Sequence, residues 1–156
     1  MRRFLGGLLI LALSLAIVIA VVIALQSRDE GNVDNKGAGP GEKVAAKCPD
    51  EPEGLTRDSR PLSENQIRQA LSLGNVVIRY PGAKPPATLR ELQDELTGPF
   101  DAEIAAAGQA VILARGGSSV EALAWGHRLR AHSPNDPQLR PFVEAWLGDG
   151  APKPCS

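Results

Sequence analysis

The stretch QAVILARGGSSVEALAWGHRLRA, residues 109–131, decides the fold class. Its first part, QAVILA at 109–114, is an apolar run too short to form a helix of its own, which predicts a buried strand. The GGSS segment at 116–119 indicates a turn. Residues 120–125 then predict a return strand, which we expect to continue through residues 127–131.

Helices and one more strand flank this stretch. NVVIRY at 75–80 is rich in β-branched residues and predicts a strand. Capping boxes at 63–66 (SENQ) and 88–91 (TLRE) each predict the start of a helix. Asp-Pro at 136–137 predicts a third start, with Asp as N-cap and Pro at the first helical position, and an apolar stripe follows it. Residues 100–107 could add one short helical piece. The prediction is an α+β fold, a small, mostly antiparallel sheet packed with about three helices.

An N-terminal apolar segment predicts a transmembrane helix at residues 4–25. These 22 residues carry no charge, and 19 of them are hydrophobic. As a helix they would reach about 33 Å, enough to cross a bilayer core of about 30 Å. Arg2 and Arg3 precede the segment, so residues 1–3 are expected in the cytoplasm and the remainder outside it. The alternative is a signal peptide cleaved near Ala24.

Composition divides the rest of the chain in two. Residues 26–60 hold only seven apolar residues and are rich in Gly, Pro and charged residues, which predicts a flexible extracytoplasmic linker. Residues 61–156 are predicted to form the folded extracytoplasmic domain. From residue 26 onward, 15 basic and 18 acidic residues give a net charge of −3, which offers no electrostatic case for nucleic-acid binding, so no nucleic-acid partner is expected.

The two cysteines, Cys48 and Cys155, lie near the two ends of this domain. In an exported protein the simplest expectation is that they form a disulfide. The bond would close a loop of 107 residues, worth about 4–5 kcal/mol in the chain-entropy model. A redox pair, an intermolecular bond, or a metal site that also uses His127 and His132 are the alternatives.

Three sequence segments carry a family resemblance: GNVVIRY at 74–80, AWGHRLR at 124–130 and DPQLRPF at 136–142. Together with the terminal Pro-Cys at 154–155, they resemble the bacterial family catalogued as domain of unknown function 3105. The resemblance extends from Cys48 to Cys155. Members of that family are commonly exported or membrane-anchored, so it implies the same location for this chain.

The chain departs from the family at a histidine motif. Family members carry His-x-Leu-Glu-His-Gly just before the first strand, and clustered histidines of this kind look like a metal site. Here the corresponding run is QALSLG at 69–74. Gln69, Ser72 and Leu73 replace the first His, the Glu and the second His, so the comparison implies a degenerate site that binds no metal.

Four residues near the end of the sheet are candidate partner contacts: Trp125, His127, Arg128 and Arg130. The alternatives are core packing for Trp125, simple surface exposure for His127, and a solvated or salt-bridged sheet edge for the arginines, which should share one side of the sheet.

A second cluster, the carboxylates Glu91, Asp94 and Glu95, predicts a solvated helix face, because acid–base chemistry would need a cleft.

These observations predict a non-catalytic, single-pass membrane protein of the bacterial cell envelope. Its partners would be the lipid bilayer, through residues 4–25, and an unidentified envelope protein. No enzymatic activity, cofactor or metal is expected, since no complete catalytic constellation is visible. The alternative function is an extracytoplasmic metal-handling or redox protein whose site forms only in the fold. An enzyme of an unrecognised type is a third reading.

Overall fold

The computed structural model describes residues 39–55, 57–153 and Cys155. These residues belong to one compact unit with an α+β fold. No helix among them is long and apolar enough to cross a membrane, and the predicted transmembrane segment 4–25 lies outside the described residues. The elements are β1 (Glu42–Lys43), α1 (Glu64–Leu73), β2 (Val76–Tyr80), α2 (Ala87–Leu96), α3 (Ala102–Ala106), β3 (Val111–Arg115), β4 (Glu121–Ala124), β5 (His127–Arg130) and α4 (Leu139–Trp146).

The sheet is mostly antiparallel, as predicted. Its five strands are ordered β1-β5-β4-β2-β3. Only β2 and β3 run parallel, and α2 and α3 lie between them in the chain because a parallel pair needs a long crossover connection. The remaining neighbours pair antiparallel.

The predicted capping box of α1 is confirmed. Ser63 accepts a hydrogen bond from the Gln66 N–H at 3.0 Å, and the Gln66 side chain accepts one from the Ser63 N–H at 3.0 Å. Gly74 ends the helix with φ 110°, a left-handed conformation that favours glycine.

The predicted starts of the two other helices are wrong in detail. Helix α2 begins at Ala87 after Pro86, with no side-chain cap. The Thr88 hydroxyl instead lies 3.4 Å from the Pro134 carbonyl, because a tertiary contact replaces the local one. Helix α4 begins only at Leu139. The Asp136 carboxylate accepts hydrogen bonds from the N–H groups of Gln138 and His132, so it caps the turn that precedes the helix.

The single strand predicted over residues 120–131 is also wrong. Trp125 and Gly126 form a two-residue turn, and Gly126 has φ 72°. Ala124 therefore pairs with His127 across a hairpin, and the region forms the two strands β4 and β5. Gly126 supplies the positive φ that a tight turn requires.

Helices cover both faces of the sheet. The larger core cluster joins the sheet to α2 and α4, and its largest buried members include Tyr80, Leu89 and Phe142. The smaller cluster joins the other face to α1 and α3. Burial of these side chains contributes most of the folding free energy, about 25 cal/mol per Å² of apolar surface.

Residues 39–60, which we call the N-terminal arm, differ from the predicted linker. The arm begins at α4, where the Trp146 indole N–H donates to the Pro40 carbonyl at 3.0 Å. It supplies β1 to the sheet and then reaches α1, where Arg68 and Asp50 are 3.0 Å apart. Backbone and ionic contacts thus join the arm to the sheet, to α1 and to α4, while the flexibility predicted for residues 26–60 stays a prediction. Linker residues 26–38 lie outside the described residues.

The free edge of β3 is covered by the arm and by α2. The Ser59 N–H donates to the Leu113 carbonyl at 2.7 Å. Gln93, which is fully buried, donates to the Val111 carbonyl at 2.8 Å and to Asp58 at 3.0 Å. A side-chain amide thus occupies the place of a neighbouring strand and satisfies an edge carbonyl.

Replacing Gln93 by leucine is expected to lower the free energy of unfolding by about 2 kcal/mol, because the Val111 carbonyl and Asp58 each lose a buried donor. Urea unfolding followed by tryptophan fluorescence measures the change. The control is Asp94→Ala on the exposed side of the same helix, which should stay within about 0.5 kcal/mol of the wild type. Equal effects of the two substitutions would contradict the role given to Gln93.

Candidate functional site

The two cysteines are brought together. Cys48 is exposed in the arm and Cys155 is half-buried near the C-terminus. Their Cα atoms are 5.5 Å apart and their sulfur atoms are within bonding distance, consistent with the predicted disulfide. The segment before Cys155 is held by α1, since the Ala151 N–H donates to the Ser72 carbonyl at 2.9 Å.

The three positions that the family resemblance predicts to form a degenerate site do not all converge. Gln69 and Leu73, one helical turn apart, line a cavity of about 170 Å³ between α1 and α3. Ser72 does not line it, and its hydroxyl donates to the Gln69 carbonyl at 2.9 Å. The cavity is lined mostly by small and apolar residues, such as Leu55 and Ala105. No group of three or more potential metal ligands occurs in the part of the chain that the structure describes.

The four candidate contacts at the end of the sheet do not share one surface. Trp125 lies in the β4–β5 turn rather than on a strand. His127 points to the face of the sheet that α4 covers, where its ring stacks on the Trp146 ring with centroids 3.5 Å apart. Arg128 and Arg130 pair with carboxylates, Arg128 with Glu42 at 2.6 Å and Arg130 with Glu42 at 3.9 Å. This agrees with the salt-bridged edge that was the alternative for these arginines.

The environment of His127 differs from simple surface exposure. Its Nε2 atom is buried and has no hydrogen-bond partner among the described residues. Burial lowers the pKa of His127 below the usual 6.5, Asp149 acts in the opposite direction, and Lys43 lowers it further. The neutral ring is therefore favoured in the folded protein at neutral pH.

This lowered pKa makes part of the stability pH-dependent. In the unfolded chain, His127 binds a proton more readily than in the folded protein. The contribution of neutral His127 to the free energy of unfolding is therefore fully present above the unfolded pKa of about 6.5 and is lost as the pH falls. Urea unfolding between about pH 7.5 and pH 5 should show His127→Phe losing less stability on acidification than the wild type. Phenylalanine keeps an aromatic ring against Trp146 but does not titrate. Identical pH profiles would contradict this.

A larger groove, of about 310 Å³, lies between α2 and the start of α4. We call it the α2–α4 groove. Leu92 and Leu139 provide apolar surface at its base, and Pro134 and Pro137 add apolar surface from the preceding loop. Leu92 is half-buried and Leu139 is almost fully buried in the main core. Core packing therefore holds the base of the groove in place.

Carboxylates also line the groove. Glu91 and Glu95 are exposed and one turn apart on α2, and the nearly buried Asp136 lines the groove from the loop. Hydrogen bonds from the N–H groups of Gln138 and His132 lower the pKa of Asp136, so its carboxylate stays ionised.

Only one guanidinium, that of Arg140, lies in the groove. It pairs with Glu95 and is also 3.6 Å from Glu144. No described residue pairs with Glu91, whose side chain is exposed. The groove therefore keeps an excess of negative charge.

Sequence reasoning did not identify this groove. The carboxylates of α2 were recognised, but as a solvated helix face, because nothing in the local sequence indicates a facing wall. That wall comes from residues 134–140, more than 35 positions further along the chain. The one available signal was the Pro-rich loop beside an apolar stripe.

No family model, no curated protein and no solved structure matches this chain. The family resemblance stated from residues 48–155 thus stays a prediction.

Proposed function

We propose that this chain is a membrane-anchored extracytoplasmic protein without catalytic activity, which binds a protein of the cell envelope through its α2–α4 groove. Residues 4–25 would form the anchor, and the Cys48–Cys155 disulfide would form after export. The observation that carries the proposal is the groove itself, which combines a fixed apolar base with a charged rim, as binding sites commonly do.

The state of the carboxylates favours binding over catalysis. Glu95 is engaged by Arg140, and the carboxylate of Asp136 is held by two backbone N–H groups. A general acid at neutral pH needs a raised pKa, whereas the pKa of Asp136 is lowered. The groove is therefore suited to hold charge of the opposite sign rather than to transfer protons.

Site-specific photocrosslinking tests the proposal. A photoreactive amino acid at position 91 of the full chain, irradiated in intact cells, should trap one envelope protein, which is then identified and purified. The same residue at Glu103, an exposed acidic position on α3, is the matched control and should not trap it.

Binding of the purified partner completes this test. Glu91→Arg should abolish saturable binding to the full chain, and Glu103→Arg should leave it intact. Equal crosslinking from both positions, or binding that is insensitive to Glu91→Arg, would contradict the proposal. Stoichiometric copper or zinc in the purified protein, lost on replacing His127 and His132, would support the metal-handling alternative instead.

A further inference from the structure

The α2–α4 groove selects the chemistry of its occupant. Resting on the proposed function, we infer that the partner inserts a lysine or arginine side chain, with an apolar neighbour, into this groove. The groove has apolar surface at its base and charged side chains along its rim, and the occupant must suit both.

The base of the groove suits an aliphatic stem. The half-buried Leu92 and the two prolines Pro134 and Pro137 present carbon atoms rather than hydrogen-bonding groups, and the almost fully buried Leu139 supports them from the core. Lysine and arginine side chains bury three or four methylene groups on such surfaces while their charged ends stay near water. The volume of about 310 Å³ leaves room for such a stem and for part of a neighbouring side chain.

The rim of the groove suits a cation. Two exposed carboxylates, of Glu91 and Glu95, line the groove together with a single guanidinium, that of Arg140, which is shared with Glu144 outside the groove. The ionised and nearly buried Asp136 adds a further negative charge. An incoming cation would find Glu91 unpaired within the described residues. Attraction between exposed opposite charges is modest, so the apolar surface of the groove must supply the rest of the affinity.

Other occupants fit less well. An anionic side chain would meet the excess negative charge of the rim. A wholly apolar side chain would take Glu91 out of water without a compensating charge, which is unfavourable. The cationic occupant alone matches both levels of the groove.

Three synthetic peptides, acetyl-Leu-X-Leu-amide with X as arginine, glutamine or glutamate, test the inference. Their affinity for the isotope-labelled full chain in detergent micelles is measured by NMR titration, which also maps the site. The arginine peptide should bind about 10-fold more tightly than the glutamine peptide, which corresponds to about 1.4 kcal/mol. The glutamate peptide should bind most weakly, and shifts should concentrate on residues 88–95 and 134–140.

Paired variants locate the charge effect. Glu91→Gln should weaken binding of the arginine peptide by about 5-fold, the effect of losing an exposed ion pair, and leave the glutamine peptide unchanged. Glu103→Gln should change neither. The inference is overturned if the glutamine or glutamate peptide binds as tightly as the arginine peptide, if Glu103→Gln matches Glu91→Gln, or if no peptide binds up to about 10 mM.

The two proposals can fail separately. Position 91 could crosslink a partner at a segment without lysine or arginine while the peptides show no preference. In that case the groove is a binding site, and the inferred preference for a cationic side chain is wrong. If the peptides show the preference but position 91 crosslinks no envelope protein, the selectivity stands and the proposed function is wrong.

Discussion

Replacing Gly108 by alanine is expected to lower the free energy of unfolding by about 4 kcal/mol or more, enough to unfold a small domain. Gly108 has φ 75°, a conformation that costs other residues about 1–2 kcal/mol. An added Cβ would also collide with the carbonyl oxygen of Leu73 at the end of α1. Hydrogen bonds fix the backbone on the Gly108 side, since the N–H of Gln109 donates to the Ile104 carbonyl at 3.1 Å. The collision therefore has little room to relax.

The control for this prediction is Gly98→Ala. Gly98 has nearly the same φ, 76°, but a Cβ there would meet nothing within 4 Å. Gly98→Ala should therefore lower the free energy of unfolding only by the conformational cost of about 1–2 kcal/mol. The two variants are compared by urea unfolding and by far-ultraviolet circular dichroism. Similar stabilities would mean that α1 and the α3–β3 turn do not approach each other as closely as the structure has them.

Removing the cysteine pair is the second change with a large expected effect. Replacing both Cys48 and Cys155 by serine should lower the free energy of unfolding by about 4–5 kcal/mol, because the unfolded chain regains the entropy that a loop closed over 107 residues removes. Thermal and urea unfolding of the exported protein, with and without a reductant, measure the change.

Single and double variants distinguish a bond from ordinary packing. Cys48→Ser, Cys155→Ser and the double variant should be equally destabilised, and a reductant should lower only the stability of the wild type. Additive single effects, or a wild type indifferent to the reductant, would contradict a disulfide. Free thiols in the exported protein would do so directly.

The elements that the sequence predicts correctly have local causes. The reciprocal bonds of Ser63 and Gln66, the β-branched strand at 76–80 and the apolar stripe of α4 each depend on residues close in sequence. The errors have tertiary causes. Thr88 bonds to a carbonyl 46 residues away instead of capping its own helix, and Gly126 turns the chain where hydrophobicity alone suggested a continuous strand.

The arm and the groove could not be predicted from the sequence for the same reason, since both depend on residues far apart in the chain. The arm has few apolar residues, but it contacts groups on distant elements, such as the Leu113 carbonyl, which no local pattern indicates. The α2–α4 groove needs the loop at 134–137 to stand opposite Glu91. The pairing of the cysteines was predictable because a chain with two cysteines leaves one simple intramolecular pairing.

The position of the cysteine pair also decides how the domain would carry mechanical force. With the bond formed, tension applied between residue 39 and the C-terminus passes from Cys48 directly to Cys155. Residues 49–154 then lie outside the load path. Such a pull could at most release residues 39–47, which are held by the two-residue pairing of β1 with β5 and by the hydrogen bond from Trp146 to Pro40, before the covalent link stops further extension. Tension between residue 39 and the C-terminus would therefore leave the α2–α4 groove, whose lining residues lie between 88 and 140, free of load.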